Sequence, residues 1–156
     1  MERAMKRLLP QADSLEKVIL VFAFSYANQD YTHADIADFL QFKNNQTRQS
    51  AYYLNACYYL GLVDQYGRPT DVGKTIMKQP QRLNESVYEI VMADTYCGKV
   101  IAKMLVNPDE DIKRFIIAIL QKDYAGKYKE STIERRAQTI LSWCTEVRDF
   151  LNKRQK

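Results

Sequence analysis

Residues suited to reading nucleic-acid bases crowd the stretch from Lys43 to Asn55. Arg48, Tyr52, Asn55 and Tyr59 recur at steps of four, three and four, the spacing of one helix face. Asn45, Thr47 and Gln49 gather at the start of the same stretch. An arginine fork can bridge guanine O6 and N7, and Asn or Gln can bridge adenine N6 and N7. Hydroxyls and lysine suit phosphates. Lys43 precedes the strip and Arg68 follows it in a Gly-Arg-Pro turn, both placed to meet a phosphate backbone. No acid occurs between Gln41 and Val63, whereas Asp13, Glu16, Asp30, Asp35 and Asp38 lie before it. The alternative reading of this strip is a solvated helix face.

Other chemistries find less to work with. Pro108-Asp109-Glu110-Asp111 with Lys113 holds the carboxylates and lysine that a metal-dependent nuclease requires. Asn107 followed by proline and acids has the form of a helix start, with the acids set against the positive end of the dipole. His33 is the sole histidine and stands beside a helix cap, so neither an HNH-like set nor a Ser–His–Asp constellation can be assembled. With only five glycines, none in a phosphate-cradling loop, nucleotide hydrolysis is not indicated. No catalytic residue, metal site or cofactor is expected. Cys57, Cys97 and Cys144 are odd in number, widely spaced and within helical patterns, which reads as three buried free thiols.

The 156 residues suit one medium or two small domains, with 46% hydrophobic content and a net charge of +4. That charge is too small to name a partner by itself, so its local distribution must decide. The chain shows no signal peptide and no apolar run of 18 residues, and a cytoplasmic location away from membranes is expected.

The elements that must hold the strip follow from caps and periodicity. Asp13 or Ser14 starts a helix to about Asn28 that buries Leu15, Val18, Ile19, Phe22 and Ala23. Thr32 opens a second helix in capping-box fashion with Asp35. Lys43-Asn44-Asn45 turns into the third, Thr47–Leu60, with Asn45 as N-cap and Gly61 as its stop. This third helix buries Ser50, Tyr53, Leu54 and Cys57. Leu62-Val63 and the turn Tyr66-Gly67-Arg68-Pro69 predict a short β-hairpin, and Thr70 or Asp71 caps a further helix. Pro80 to Asn84 separates two halves, 1–80 and 81–156. The second half reads as a long helix from Asn84 to Leu105 bent at Gly98, a helix from Asn107, and a last helix capped by Ser131 or Thr132. The basic segments Met1–Pro10, with Arg3, Lys6 and Arg7, and Lys153–Lys156 read as frayed ends, a DNA-contacting arm being the alternative for the first.

Helix, turn, helix, then Leu60-Gly61-Leu62-Val63, a hairpin and Thr70-Asp71-Val72-Gly73 resemble the core of a winged helix-turn-helix domain, over roughly half the chain. The resemblance implies a mostly α-helical fold with a small β-hairpin wing and double-stranded DNA as the partner. Some members of that family bind only proteins. A shift of 87 positions lays Arg48 on Arg135, Leu54 on Leu141, Asn55 on Ser142 and Cys57 on Cys144, which hints that the second half is a degenerate helix-turn-helix repeat. Thr132, Arg135, Gln138 and Thr139 then become secondary DNA-contact candidates, of which Arg135, Gln138 and Thr139 face outward with Ser131 and Ser142. The segment from Ser131 to Thr139 followed by Trp143 resembles a helix of winged-helix modules attached to bacterial restriction endonucleases. That likeness implies a restriction-modification or phage-defence setting, with a nuclease or other restriction subunit as partner; transcription regulation is the other expectation. The competing class is a protein-interaction module, since Tyr52 and Tyr59 share a face and a second-half helix could build a homodimer.

Overall fold

Side-chain caps punctuate the chain and decide where its helices begin. The computed structural model describes residues 4–42, 47–108 and 110–154. Ser14 Oγ accepts from the Lys17 amide and starts α1 (Leu15–Ala27). Thr32 and Asp35 form a reciprocal capping box at α2 (His33–Phe39). The Lys43-Asn44-Asn45 turn and the Asn45 cap lie outside the described residues; α3 runs Thr47–Tyr59. Gly61 follows at φ +75°, and the Leu62 amide reaches back to the Cys57 carbonyl at 3.0 Å, so the left-handed stop forms as the sequence predicts. Thr70 caps α4 (Asp71–Met77), and a single 3₁₀ turn, Pro80–Arg82, leads into α5 (Leu83–Ala93).

The expected β-hairpin wing does not form. Among the described residues there is no strand or sheet, only one antiparallel bridge between Val63 and Pro69 beside α3 and one parallel bridge, Ala125 with Tyr128, further on. The cause is local. Asp64 Oδ1 accepts from the amides of Tyr66 (2.9 Å) and Arg68 (3.0 Å), which coils the segment into a turn. Pro69 has no amide to give, and α4 starts two residues later, so pairing ends after a single bridge. The fold is all-helical among the described residues, not a winged helix.

The chain divides into two compact units, Met1–Val87 and Tyr88–Lys156, with the division inside α5. In the first, α3 packs against both α1 and α2. Its core holds Leu15, Val18, Phe22, Ile36, Leu54 and Leu62, all fully buried. Burying such side chains contributes about 1.5–3 kcal/mol each. In the second, α6 (Thr95–Val106), α7 (Ile112–Tyr124) and α8 (Glu130–Arg154) pack pairwise around Ile116, Leu120, Ile140, Trp143 and Cys144.

Several boundaries in the second half differ from the sequence reading. The long helix breaks at Asp94, whose carboxylate accepts from the Tyr96 and Cys97 amides and starts α6 anew. Asn107 closes α6 rather than opening α7; Asp111 caps α7 by accepting from the Arg114 amide. Of the acidic run, Asp109 lies outside the described residues. α8 starts one residue before Ser131 and carries Lys153 and Arg154 within its last turn. The described part of the N-terminal arm, from residue 4, is docked rather than frayed: Leu9 and Pro10 are buried, and the Met5 amide donates to the Gln65 carbonyl at 2.7 Å. No described helix is long and apolar enough to cross a membrane.

Candidate nucleic-acid interface

The orientation of α3 is fixed from its inner side. Leu54, Ala56 and Cys57 are fully buried, Tyr53 nearly so. Tyr53 Oη accepts from the Ser14 amide at 3.3 Å, tying α3 to the cap of α1. Cys57 Sγ donates to the Val18 carbonyl at 3.5 Å, a second tie to α1. Burial pushes the Cys57 thiol well above its ordinary range, so it stays protonated and unreactive. The Tyr53 ring also meets Phe42, with centroids 5.7 Å apart.

With that side spoken for, the other is presented outward. Thr47 and Arg48 are exposed; Gln49, Tyr52, Asn55, Tyr58 and Tyr59 are partly so. Lys43 and Asn45 lie outside the described residues. Arg48 Nε donates to Tyr52 Oη at 2.7 Å, and its guanidinium carbon stands 5.6 Å from the Tyr52 ring centre. Tyr52 thus holds the guanidinium by one nitrogen and leaves the two terminal amines for another acceptor.

One contributor comes from the basic arm that the sequence reads as a frayed end, with DNA contact as its alternative. Arg7 donates through Nη2 to the Tyr59 carbonyl at 3.3 Å and lies 5.3 Å over the Tyr59 ring. It brings positive charge to the negative end of the α3 dipole, and the strip of Arg48, Tyr52, Asn55 and Tyr59 gains a cation at its far end. The signal was present in the basic run Arg3, Lys6 and Arg7, but its contact partner lies 52 residues away.

Arg68 stands elsewhere. Its side chain is exposed and lines a cleft to which α3 contributes no residue. The supporting turn is rigid: Gly67 sits at φ +81° and its carbonyl accepts from Tyr31 Oη at 2.8 Å. Burial raises the Tyr31 phenol to about 12, so it remains a donor.

The second unit repeats part of this construction. Cys144 Sγ of α8 donates to the Cys97 carbonyl of α6 at 3.7 Å, as Cys57 of α3 does to α1. Arg135 Nη1 donates to Thr139 Oγ1 at 3.2 Å, the same four-residue step as Arg48 to Tyr52. The outer faces differ, however. Thr139, expected to face outward, is fully buried, and Arg136 is buried with its guanidinium 5.7 Å from the Tyr128 ring. Arg135 and Gln138 are exposed and Thr132 is partly so, but Glu130 and Glu134 are exposed among them. The described residues of α3 hold no carboxylate.

Elsewhere, burial lowers the His33 imidazole below the usual histidine range, so it is neutral at pH 7. Among the described residues no three His, Cys, Asp or Glu side chains gather as a metal site.

What these features define is a chain of two units, all-helical among the described residues, each with a helix seated across two others, and one such helix with an acid-free polar face. Residues 17–151 match the family described as a domain of unknown function, DUF7226, and the chain belongs to that family. The match runs through both units. No curated protein and no solved structure matches the chain.

Proposed function

We propose that this protein binds double-stranded DNA without catalysing a reaction, inserting α3 into the major groove. Arg48 reads a guanine with its terminal amines; Gln49 and Asn55 reach neighbouring base edges; Thr47, Tyr52 and the arm residue Arg7 contact the backbone. The observation that carries the reading is the Arg48–Tyr52 pair on the outward face of a helix without acids. A preset guanidinium loses less freedom on binding than a mobile one. Without a wing, groove binding rests on α3 and the docked arm. The second unit contributes Arg135 as a phosphate contact, because Glu130 and Glu134 on the same helix disfavour groove entry. Such a protein would serve a restriction or phage-defence system as its recognition component, or act as a transcription regulator.

The test is competitive binding to duplexes carrying single-base changes, together with the salt dependence of affinity. Arg48→Ala should relax preference at one base pair by about 1–3 kcal/mol. Arg135→Ala should weaken all duplexes alike and reduce the salt slope by about one unit. Duplex affinity that does not change with salt overturns the proposal. It would leave Tyr52, Tyr58 and Tyr59 as a protein-docking face instead.

A further inference from the structure

The cleft beside the Asp64–Pro69 turn has a volume of about 800 Å³, within the range of roughly 300–1,000 Å³ typical of small-molecule sites. Its lining comes from the last turn of α1, the α1–α2 link, the turn itself and Lys74 of α4. α3 contributes nothing, so the cleft is separate from the strip assigned to DNA.

Three features give it a chemical character. Arg68 and Lys74 are both exposed, have no ion-pair partner among the described residues, and line the same cleft, whose other charged groups are Asp30 and Asp64, the latter already accepting two backbone amides. Tyr66 is 41% exposed and its ring stacks on no other described ring. Asp30, exposed in the α1–α2 link, adds a carboxylate that can accept from hydroxyl or amino groups. The backbone bearing Tyr66 and Arg68 is already held by Asp64 Oδ1 and by the Tyr31–Gly67 hydrogen bond, so no loop must be ordered on binding.

A simple anion would use only the cations, and a neutral aromatic only the ring. We propose that the cleft binds a nucleoside 5′-phosphate, with phosphate on Arg68 and Lys74, base stacked on Tyr66, and ribose hydroxyls donating to Asp30. Anions pair with arginine and lysine through charge-assisted hydrogen bonds, and any base offers a π face to tyrosine. The chemistry favours the phosphate position over the identity of the base.

Isothermal titration of the full chain with AMP, GMP, adenosine and inorganic phosphate tests the assignment. AMP and GMP should bind with a Kd below about 1 mM, with adenosine and phosphate at least about tenfold weaker. Tyr66→Ala and Lys74→Ala should each weaken AMP by about tenfold or more. Circular dichroism should stay unchanged, since both side chains are exposed. Overturning results are no heat with either nucleotide at 5 mM-scale concentration (roughly the weakest affinity a real site would show), or AMP binding that both variants retain. A cleft that takes only duplex DNA, with no mononucleotide, also overturns it and makes Arg68 a backbone contact. Because Tyr66 and Lys74 play no part in the α3 strip, loss of nucleotide binding can be separated from failure of the DNA reading.

Discussion

Replacing Gly67 by alanine tests the turn that joins α3 to α4. Gly67 has φ +81°, where an L-residue costs about 1–2 kcal/mol. An added Cβ would also run into Tyr31 Oη. Tyr31 is 8% exposed, and moving its hydroxyl out of the way breaks its hydrogen bond to the Gly67 carbonyl as well, worth about 1 kcal/mol. Gly67→Ala should therefore cost about 2–4 kcal/mol. Gly61→Ala is the internal control: φ is +75°, but the added Cβ meets nothing within 4 Å, so it should cost only the backbone strain of about 1–2 kcal/mol. Tyr31→Phe removes the colliding oxygen and leaves the ring carbon that bore it at 3.4 Å from the added Cβ, an ordinary contact. The double variant should be less destabilised than the sum of the single ones by about 1 kcal/mol or more. Urea melts by far-UV circular dichroism supply the free energies, with amide exchange of α3 reporting on the first unit alone. Equal costs for Gly67→Ala and Gly61→Ala, or strict additivity with Tyr31→Phe, would refute the steric reasoning.

Leu54→Ala, at a fully buried position on α3, should cost about 2–5 kcal/mol in the same melts; near-native stability would mean that α3 presents a different face. All three thiols are buried, so a disulfide reagent at pH 8 should label them only on unfolding, and rapid labelling of the native protein counts against the packing described. The Tyr31 pKa is raised from 10.0 to about 12, which favours the neutral phenol in the folded state. Its contribution is complete below pH 10 and is lost as pH rises from 10 towards 12. Tyr31→Phe should flatten that part of the stability profile, and an unchanged profile would locate the alkaline loss elsewhere.

Local chemistry made much of the first unit legible before any coordinates. Ser14, the Thr32–Asp35 box and Gly61 each act on backbone groups a few residues away, and each works as its residue type dictates. The buried face of α3 follows from helical phase alone. The expected hairpin fails because Gly-Arg-Pro is turn chemistry in either outcome; the capture of two amides by Asp64 decides between a ladder and a coil. Asp94 was hidden inside a continuous apolar period, where a cap looks like any surface acid. Thr139 escaped because a hydroxyl on a helix says little about which neighbours cover it. The Arg7–Tyr59 contact and the cleft around Arg68 depend on residues far apart in sequence, beyond the reach of pattern or propensity.

The docking of Met5 and Arg7 has a practical side for anyone attaching a fluorophore or affinity handle. Because Met5 is pinned to Gln65 and Arg7 to the end of α3, a bulky fusion on this arm would be tethered close to the helix proposed to enter the groove. The tag would crowd an incoming duplex and, if basic, counterfeit the salt response by which DNA contact is judged. A reporter placed after Arg154, where α8 ends exposed, avoids attachment to the arm that touches α3.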